Sequence, residues 1–439
     1  MKRLMNLGAV TAAAASALGL LAGTSMADSV TADPNAKVEY SGTLSVLTKF
    51  GLQQLSPYFI GLAEEYQKLH PDVTIELIQE SDDSVKGKTK TLVASNSLPD
   101  IYFTWTGAWG GNFVRGNRAV DLTPVIGPET EWGKALVPAA VQAFQYNGKY
   151  YGIPLYLDAK FMGYNKEMFG KLGISEPASF EELLAACDKI KASGVTPISF
   201  GNKEAWPAVH YAGQLLAYNV PRATLEADFD PKQAKYSDPG YVASLSQFKE
   251  LIDRCTDGSS VNGTSYASAL QQFSNTKSAM YYQEIIEFDQ STSADSALGL
   301  ANFGFFTLPV PAGAKGDPKA VEGAPEGYMI SAASENIPLA IDFMKFVTSA
   351  EHGQILSAPP YGQPSATVGG ASEKTMSPAV VEGLKDLTSA SYLMPWLDTA
   401  NTPRVAAAWL SSLQALAGGS MTPDEVIEQV KQAAAADAM

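Results

Sequence analysis

Histidine and cysteine are scarce in this chain: 439 residues contain three of the first and two of the second. His70, His210 and His352 stand far apart, and none sits at a spacing that closes on a metal ion. No metal centre is therefore expected, and no cofactor. Nucleophile and nucleotide motifs are missing as well. There is no Gly-x-Ser-x-Gly elbow and no dinucleotide fingerprint after a strand. Gly87-Lys88-Thr89 ends like a phosphate-binding loop, but Asp82 stands where the first glycine is required. Positive charge is in short supply, with 31 Lys plus Arg against 46 Asp plus Glu and a net charge of −15. That balance repels nucleic acid and anionic membrane surfaces and favours solubility. No nucleic-acid partner is expected. Beyond the first residues, no apolar run is long enough to span a bilayer.

The first residues themselves read as an export signal. Lys2 and Arg3 precede a small and apolar run from Leu4 to Ala22, which closes on Ser25-Met26-Ala27. This is the charged start, apolar middle and small-x-small end of a signal peptide cleaved after Ala27, giving residues 1–27 as leader. Asn6 and the cleavage pattern argue against a membrane anchor, and Asp28 at the new N-terminus argues against a lipid-anchored cysteine. The expected location is the periplasm. Cys187 and Cys255 fall on apolar faces of predicted helices, and that oxidising compartment permits a disulfide. Spacing alone leaves two buried thiols equally open.

The remaining chain is too long for one simple core, and two α/β lobes are expected. Thr43 to Leu47 alternates as a strand; Leu62, Ala63, Tyr66 and Leu69 mark a helical face; Val73, Ile75 and Leu77 alternate again. Such a strand–helix–strand unit seeds a parallel sheet. A helix over about 84–95 is followed by a short buried strand at Ile101-Tyr102-Phe103 and a glycine-rich loop over 104–111. Ser179 with Glu182, and Thr422 with Glu425, have the spacing of capping boxes. Helices are predicted after Pro338 and around Val242 to Cys255, and the alternation of element types favours α/β.

Aromatic and polar residues in predicted loops supply the candidate site. Trp105, Trp109, Trp206, Tyr328 and Trp396 lie near glycine or proline, Gly327 among them. The C–H face of a pyranose stacks on an aromatic plane, and its hydroxyls need partners that donate and accept. Gln53, Asp158, Gln283, Glu287, Asp398 and Arg404 are of suitable type. Paired carboxylates could also serve a secreted glycoside hydrolase, and stacked aromatics with carboxylates could hold a polyamine.

Several segments resemble a known family. His70-Pro71-Asp72, Leu98-Pro99-Asp100-Ile101-Tyr102, Ala119 to Thr123, Tyr151-Gly152-Ile153-Pro154, Tyr164-Asn165-Lys166, Trp206-Pro207, Phe273 to Met280 and Leu308-Pro309 occur in an order similar to the extracellular solute-binding proteins of ABC sugar importers, the maltose-binding-like family 1. The resemblance implies a two-lobed periplasmic-binding-protein fold with hinge-connected α/β domains and a ligand cleft between them. It places lobe one at 28–152 plus 310–358 and lobe two at 155–307 plus 361–439. It implies a monomer that captures a saccharide by lobe closure and delivers it to ABC permease subunits, with no catalysis. Trp206 would stack on the ring, Gln53, Asp158 and Asp398 would bond hydroxyls, and Arg404 would meet an acidic substituent. One departure stands out: the Gly-x-Trp that family members often carry after the position of Met280 is replaced by Tyr281 to Glu287, which makes Glu287 a candidate.

Overall fold

A computed structural model describes residues 29–438; the expected leader and its cleavage site lie outside them. Eleven strands are found among these residues: β1 Gly42–Thr48, β2 Val73–Gln79, β3 Ile101–Trp105, β4 Gln145–Tyr146, β5 Lys149–Tyr150, β6 Gly152–Asn165, β7 Thr196–Ile198, β8 Ser278–Glu284, β9 Phe303–Phe306, β10 Ala320–Ile330 and β11 Tyr392–Met394. Nine of them form one sheet in the order β2-β1-β3-β10-β6-β8-β7, with β11 beside β10 and β9 beside β6. β1 runs parallel to β2 and β3, as the strand–helix–strand pattern predicts. β3 is buried at every position, which suits a central strand covered on both faces.

Two strands carry the chain between the lobes. The first half of β6 pairs with β10 and its second half with β8 and β9. β10 pairs with β11 at Ala320–Glu322 and with β3 at Glu326–Ile330. The register shifts between Glu326 and Gly327, where β6 carries one extra residue, Leu155, next to Pro154. Proline donates no backbone hydrogen bond, so it is tolerated where a strand bends or bulges. Gly327 approaches β6 so closely that a Cβ would lie 2.1 Å from the Ile153 carbonyl oxygen.

The expected lobe boundaries move in two places. Residues 310–320, expected in lobe one, hang on lobe two: Gly316 N–H donates to Tyr218 O at 2.6 Å and Asp317 N–H to Ala217 O at 2.8 Å. Past Leu308-Pro309-Val310 the chain is thus still tied to Ala217 and Tyr218 before β10 begins. Past residue 361, where lobe two is expected to resume, the chain still bonds to lobe one, with Val368 N–H donating to Ala135 O.

Two apolar cores flank the sheet. One gathers Leu44, Val46, Phe103, Tyr328 and Phe343, and continues under Phe273, Ile285 and Phe288. The other gathers Leu183, Leu215, Phe248, Met280 and Trp409. Within the second, a disulfide joins Cys187 on helix Phe180–Ala192 to Cys255 at the end of helix Pro239–Cys255, with 5.0 Å between Cα atoms. The sequence-expected loop at 104–111 proves to be the end of β3 followed by helix Gly107–Arg115. Gly107 (φ +70°) permits that turn, and a side chain there would meet the Thr399 carbonyl of the opposite lobe at 2.7 Å. Among the described residues, no helix is long and apolar enough to cross a membrane.

Candidate functional site

Where the lobes face each other, ten side chains converge: Lys49, Asp82, Lys86, Trp105, Trp206, His210, Glu284, Glu326, Trp396 and Asp398. Strand ends and helix starts bring them there. Lys49 directly follows β1, Trp105 ends β3, Glu284 ends β8 and Glu326 sits at the bend of β10. Asp82 and Trp206 open the helices Asp82–Ala94 and Trp206–Asn219. This is the carboxyl edge at which open α/β sheets hold ligands.

Charge pairing organises the floor. Lys49 Nζ lies 2.8 Å from Asp82 Oδ1 and 2.6 Å from Glu326 Oε2. Glu326 also accepts from Trp105 Nε1 at 2.8 Å and Tyr156 Oη at 2.7 Å, so both its oxygens are engaged. Burial opposes the charge on Lys49, but Asp82 and Glu326 outweigh it and hold its pKa well above the usual lysine value. Lys160 donates to Tyr266 Oη at 2.8 Å and lies 3.3 Å from Glu284. Tyr266 in turn donates to Glu287 at 2.5 Å. Across the cleft, Lys86 of lobe one pairs with Asp398 of lobe two, and Trp206 Nε1 donates to Asp83 at 3.3 Å.

Burial raises the pKa of several other acids of this region. Burial, then the neighbouring Glu284 and Glu326, push Asp158 well above the carboxylate range. Burial and Glu284 raise Glu287 to about 8. Glu284 itself stays charged, because Lys160 and Lys49 outweigh its burial. Burial lowers His210 well below its usual value and raises Glu322 well above its own. Both shifts favour the uncharged forms of these two groups, which stand 3.4 Å apart.

Trp206 is half-buried, packs on Tyr266 with 4.3 Å between ring centroids, and meets His210 edge-on. Trp396 touches the other side of His210 at 4.7 Å. Trp105, Trp206, Trp396 and Asp398 are thus brought together as the sequence suggests. Asp158 lies in β6 at the crossing, with Oδ1 accepting from Ala159 N–H and Oδ2 unbonded. Glu287 stands one layer behind, reached through Tyr266. Trp109 lies beside Trp105, 5.5 Å away, and faces an adjoining cavity.

Five expected residues sit elsewhere. Gln53 is exposed in the turn after β1. Gln283 points to the opposite side of its strand from Glu284, toward Ser291 and Gly163, because alternate residues of a strand face opposite ways. Tyr328 is buried in the lobe-one core against Phe59 and Phe103. Gly327 lies in β10 opposite the bulge at Leu155 of β6. Arg404 is exposed and paired with Asp437 at 2.7 Å. Lys49, Asp82, Lys86, Lys160, His210, Glu284 and Glu326 escaped sequence reasoning. Position at a strand end or helix start was the signal that could have found Lys49, Asp82 and Glu284.

The family model for bacterial extracellular solute-binding proteins matches residues 52–354. The chain belongs to this family. A multiple sugar-binding protein of Streptococcus mutans is 22% identical over 308 residues, 66% of this chain and 67% of that one. An uncharacterised ABC transporter extracellular-binding protein of Pyrococcus horikoshii is 26% identical over 210 residues, 42% of this chain. The chain spans about half the length of that relative (47%) and of a putative binding protein of Brucella abortus (50%). Among solved structures, one from work on xylan utilisation by Caldanaerobius polysaccharolyticus superposes with TM-score 0.83 at 23% identity, covering 89% of this chain and 99% of the other. A chitin oligosaccharide binding protein superposes with TM-score 0.82 at 21% identity, covering 90% and 98%. These superpositions show that this solute-binding protein has the family's two-lobed fold.

Proposed function

We propose that the protein is an extracytoplasmic receptor of an ABC importer, located in the periplasm, that captures a saccharide between its lobes and performs no chemistry on it. The observation that carries this reading is the meeting of Trp105, Trp206 and Trp396 with ion-paired Lys and Asp/Glu at the lobe junction. The aromatic faces suit a pyranose ring. Charged groups suit its hydroxyls, since hydrogen bonds to ionised partners are the stronger ones. The names of similar proteins, a multiple sugar-binding protein and a chitin oligosaccharide binding protein, point the same way.

The cleft is closed on its own side chains here. Its cavity is about 30 Å³, against roughly 10–15 Å³ needed to hold a water. A sugar ring therefore enters only when the lobes part, separating Lys86 from Asp398 and Trp206 from Asp83. Ligand binding then shifts the population by making contacts to both lobes that exist only on closure. Asp398 remains a candidate hydroxyl partner, joined by Asp82 and Glu284, while Gln53 and Arg404 are not among the residues lining the closed cleft. Asp158, opposite Ala324 of β10 where the two strands pair, has a place near the hinge.

Calorimetric titration with a panel of mono- and oligosaccharides, amino acids and polyamines tests this reading. A saccharide is expected to bind, and Trp206→Ala to weaken it at least tenfold, about 1.4 kcal/mol. Binding of polyamines alone, or consumption of the sugar, would overturn it.

A further inference from the structure

Beside the cleft lies a second chamber of about 410 Å³, an order of magnitude larger than the cleft cavity itself. Helices Asp82–Ala94 and Gly107–Arg115 wall it from lobe one, and helix Pro403–Ala417 from lobe two. The two spaces share Lys86 and Asp398, so that ion pair is the partition between them. Trp105 faces the inner space and its neighbour Trp109 the outer one.

Its walls are mainly apolar. Val93, Trp109, Phe113, Pro403, Ala406 and Leu410 form the walls. Thr89 Oγ1 and Trp109 Nε1 are buried there without a hydrogen-bond partner, Lys90 also reaches the rim, and the other polar residues are committed. Arg118 donates to Asn96, and Asn112 accepts from Arg115. Asn401 donates to Leu397 O and accepts from Tyr236. Lys86 and Asp398 hold each other. A second sugar ring placed here would find Thr89, Trp109 and Lys90 but not a partner for every hydroxyl, and burying the rest unpaired is unfavourable. An apolar group would be released from water against both lobes at once.

We propose that the ligand is a glycoside whose sugar ring occupies the tryptophan-lined cleft and whose apolar aglycone occupies this adjoining chamber. This rests on the saccharide reading above and specifies its ligand class. Lobe parting breaks the Lys86–Asp398 partition, and the glycosidic linkage then passes between the two chambers. Because the chamber has walls from both lobes, the aglycone adds to the contacts that favour closure.

The test is calorimetric titration of the purified protein with methyl, hexyl and 4-nitrophenyl pyranosides of glucose, galactose and xylose, alongside the free sugars and their disaccharides. The hexyl or 4-nitrophenyl glycoside of at least one sugar is expected to bind at least tenfold more tightly than its methyl glycoside. Ala407→Phe fills the chamber from an exposed position of helix Pro403–Ala417. It should abolish that advantage while leaving the methyl glycoside's Kd and the thermal midpoint within error. Trp109→Ala should reduce the advantage from the opposite wall. Equal affinity for methyl and hexyl glycosides overturns the inference and leaves the saccharide reading standing. So does an advantage that persists in Ala407→Phe, or one shown only by disaccharides. Failure of every sugar and glycoside to bind overturns both.

Discussion

Replacing Lys49 by methionine should destabilise the protein by about 3 kcal/mol. The side chain is 3% exposed and its ammonium is shared by Asp82 and Glu326. Removing one member of a buried ion pair typically loses about 3–5 kcal/mol, because the other charge is left buried without compensation. Two features place the effect at the lower end. The Asp82 side chain is 30% exposed, so water can hydrate it once the lysine is gone. Glu326 keeps its hydrogen bonds from Trp105 and Tyr156. The burden therefore falls on one carboxylate that still has two donors. Lys49→Met combined with Glu326→Gln removes that charge as well, and the double variant should be more stable than Lys49→Met alone by at least about 1 kcal/mol, a coupling expected for residues in direct contact. Urea unfolding followed by tryptophan fluorescence measures both differences, provided the m-value is unchanged. A loss below about 1 kcal/mol in the single variant, the range of an exposed pair, would refute the reasoning. Simple additivity in the double variant would refute it equally.

Three further outcomes are expected. Cys187→Ala with Cys255→Ala opens a loop of sequence separation 68, and the chain-entropy relation puts the loss near 4 kcal/mol by urea denaturation. Glu287→Gln should change how stability depends on pH. The folded pKa of Glu287 is raised to about 8 from 4.5, so its proton is bound more tightly in the folded state and stability falls as pH rises through that window. The variant should match the parent near pH 4.5 and exceed it above pH 8, and parallel profiles would contradict this. Gly327→Ala drives a methyl into the Ile153 carbonyl and should lower the thermal midpoint by the equivalent of about 1–3 kcal/mol, whereas the exposed Gly61→Ala, with open space around it, should not.

Much of the fold is legible in the order of residue types. The strand–helix–strand start appears where alternation and helical spacing put it, at Gly42–Thr48, Ser56–Leu69 and Val73–Gln79. Both capping pairs form, with Glu182 N–H donating to Ser179 Oγ and Thr422 N–H to Glu425. These are local signals, decided within a turn or a strand. The resemblance puts the second crossing at 308–310, whereas β10, further on, pairs with β11 at one end and β3 at the other, partners distant in sequence that local signals do not reveal. The site was only half legible for the same reason. Tryptophans announce themselves by type, and Trp206 and Trp396 do meet. Lysines look like ordinary surface residues, and only the fold shows that Lys49 and Lys160 are buried among carboxylates. Gln283 and Glu284 are neighbours in sequence, yet the strand sends them to opposite faces.

The crossing strands also set an order of events. β3 lies at the centre of lobe one, but its neighbour β10 is synthesised long afterwards; the bond from Trp105 to Glu326 spans 221 residues. Until that late segment arrives, β3 presents an unpaired edge and Lys49 lacks one of its two carboxylates. Contacts of such sequence separation are slow to form. Lobe one therefore cannot complete its sheet before most of lobe two has been made, although it comes first in the chain. Severing the chain between the lobes would leave an N-terminal fragment without its central pairing.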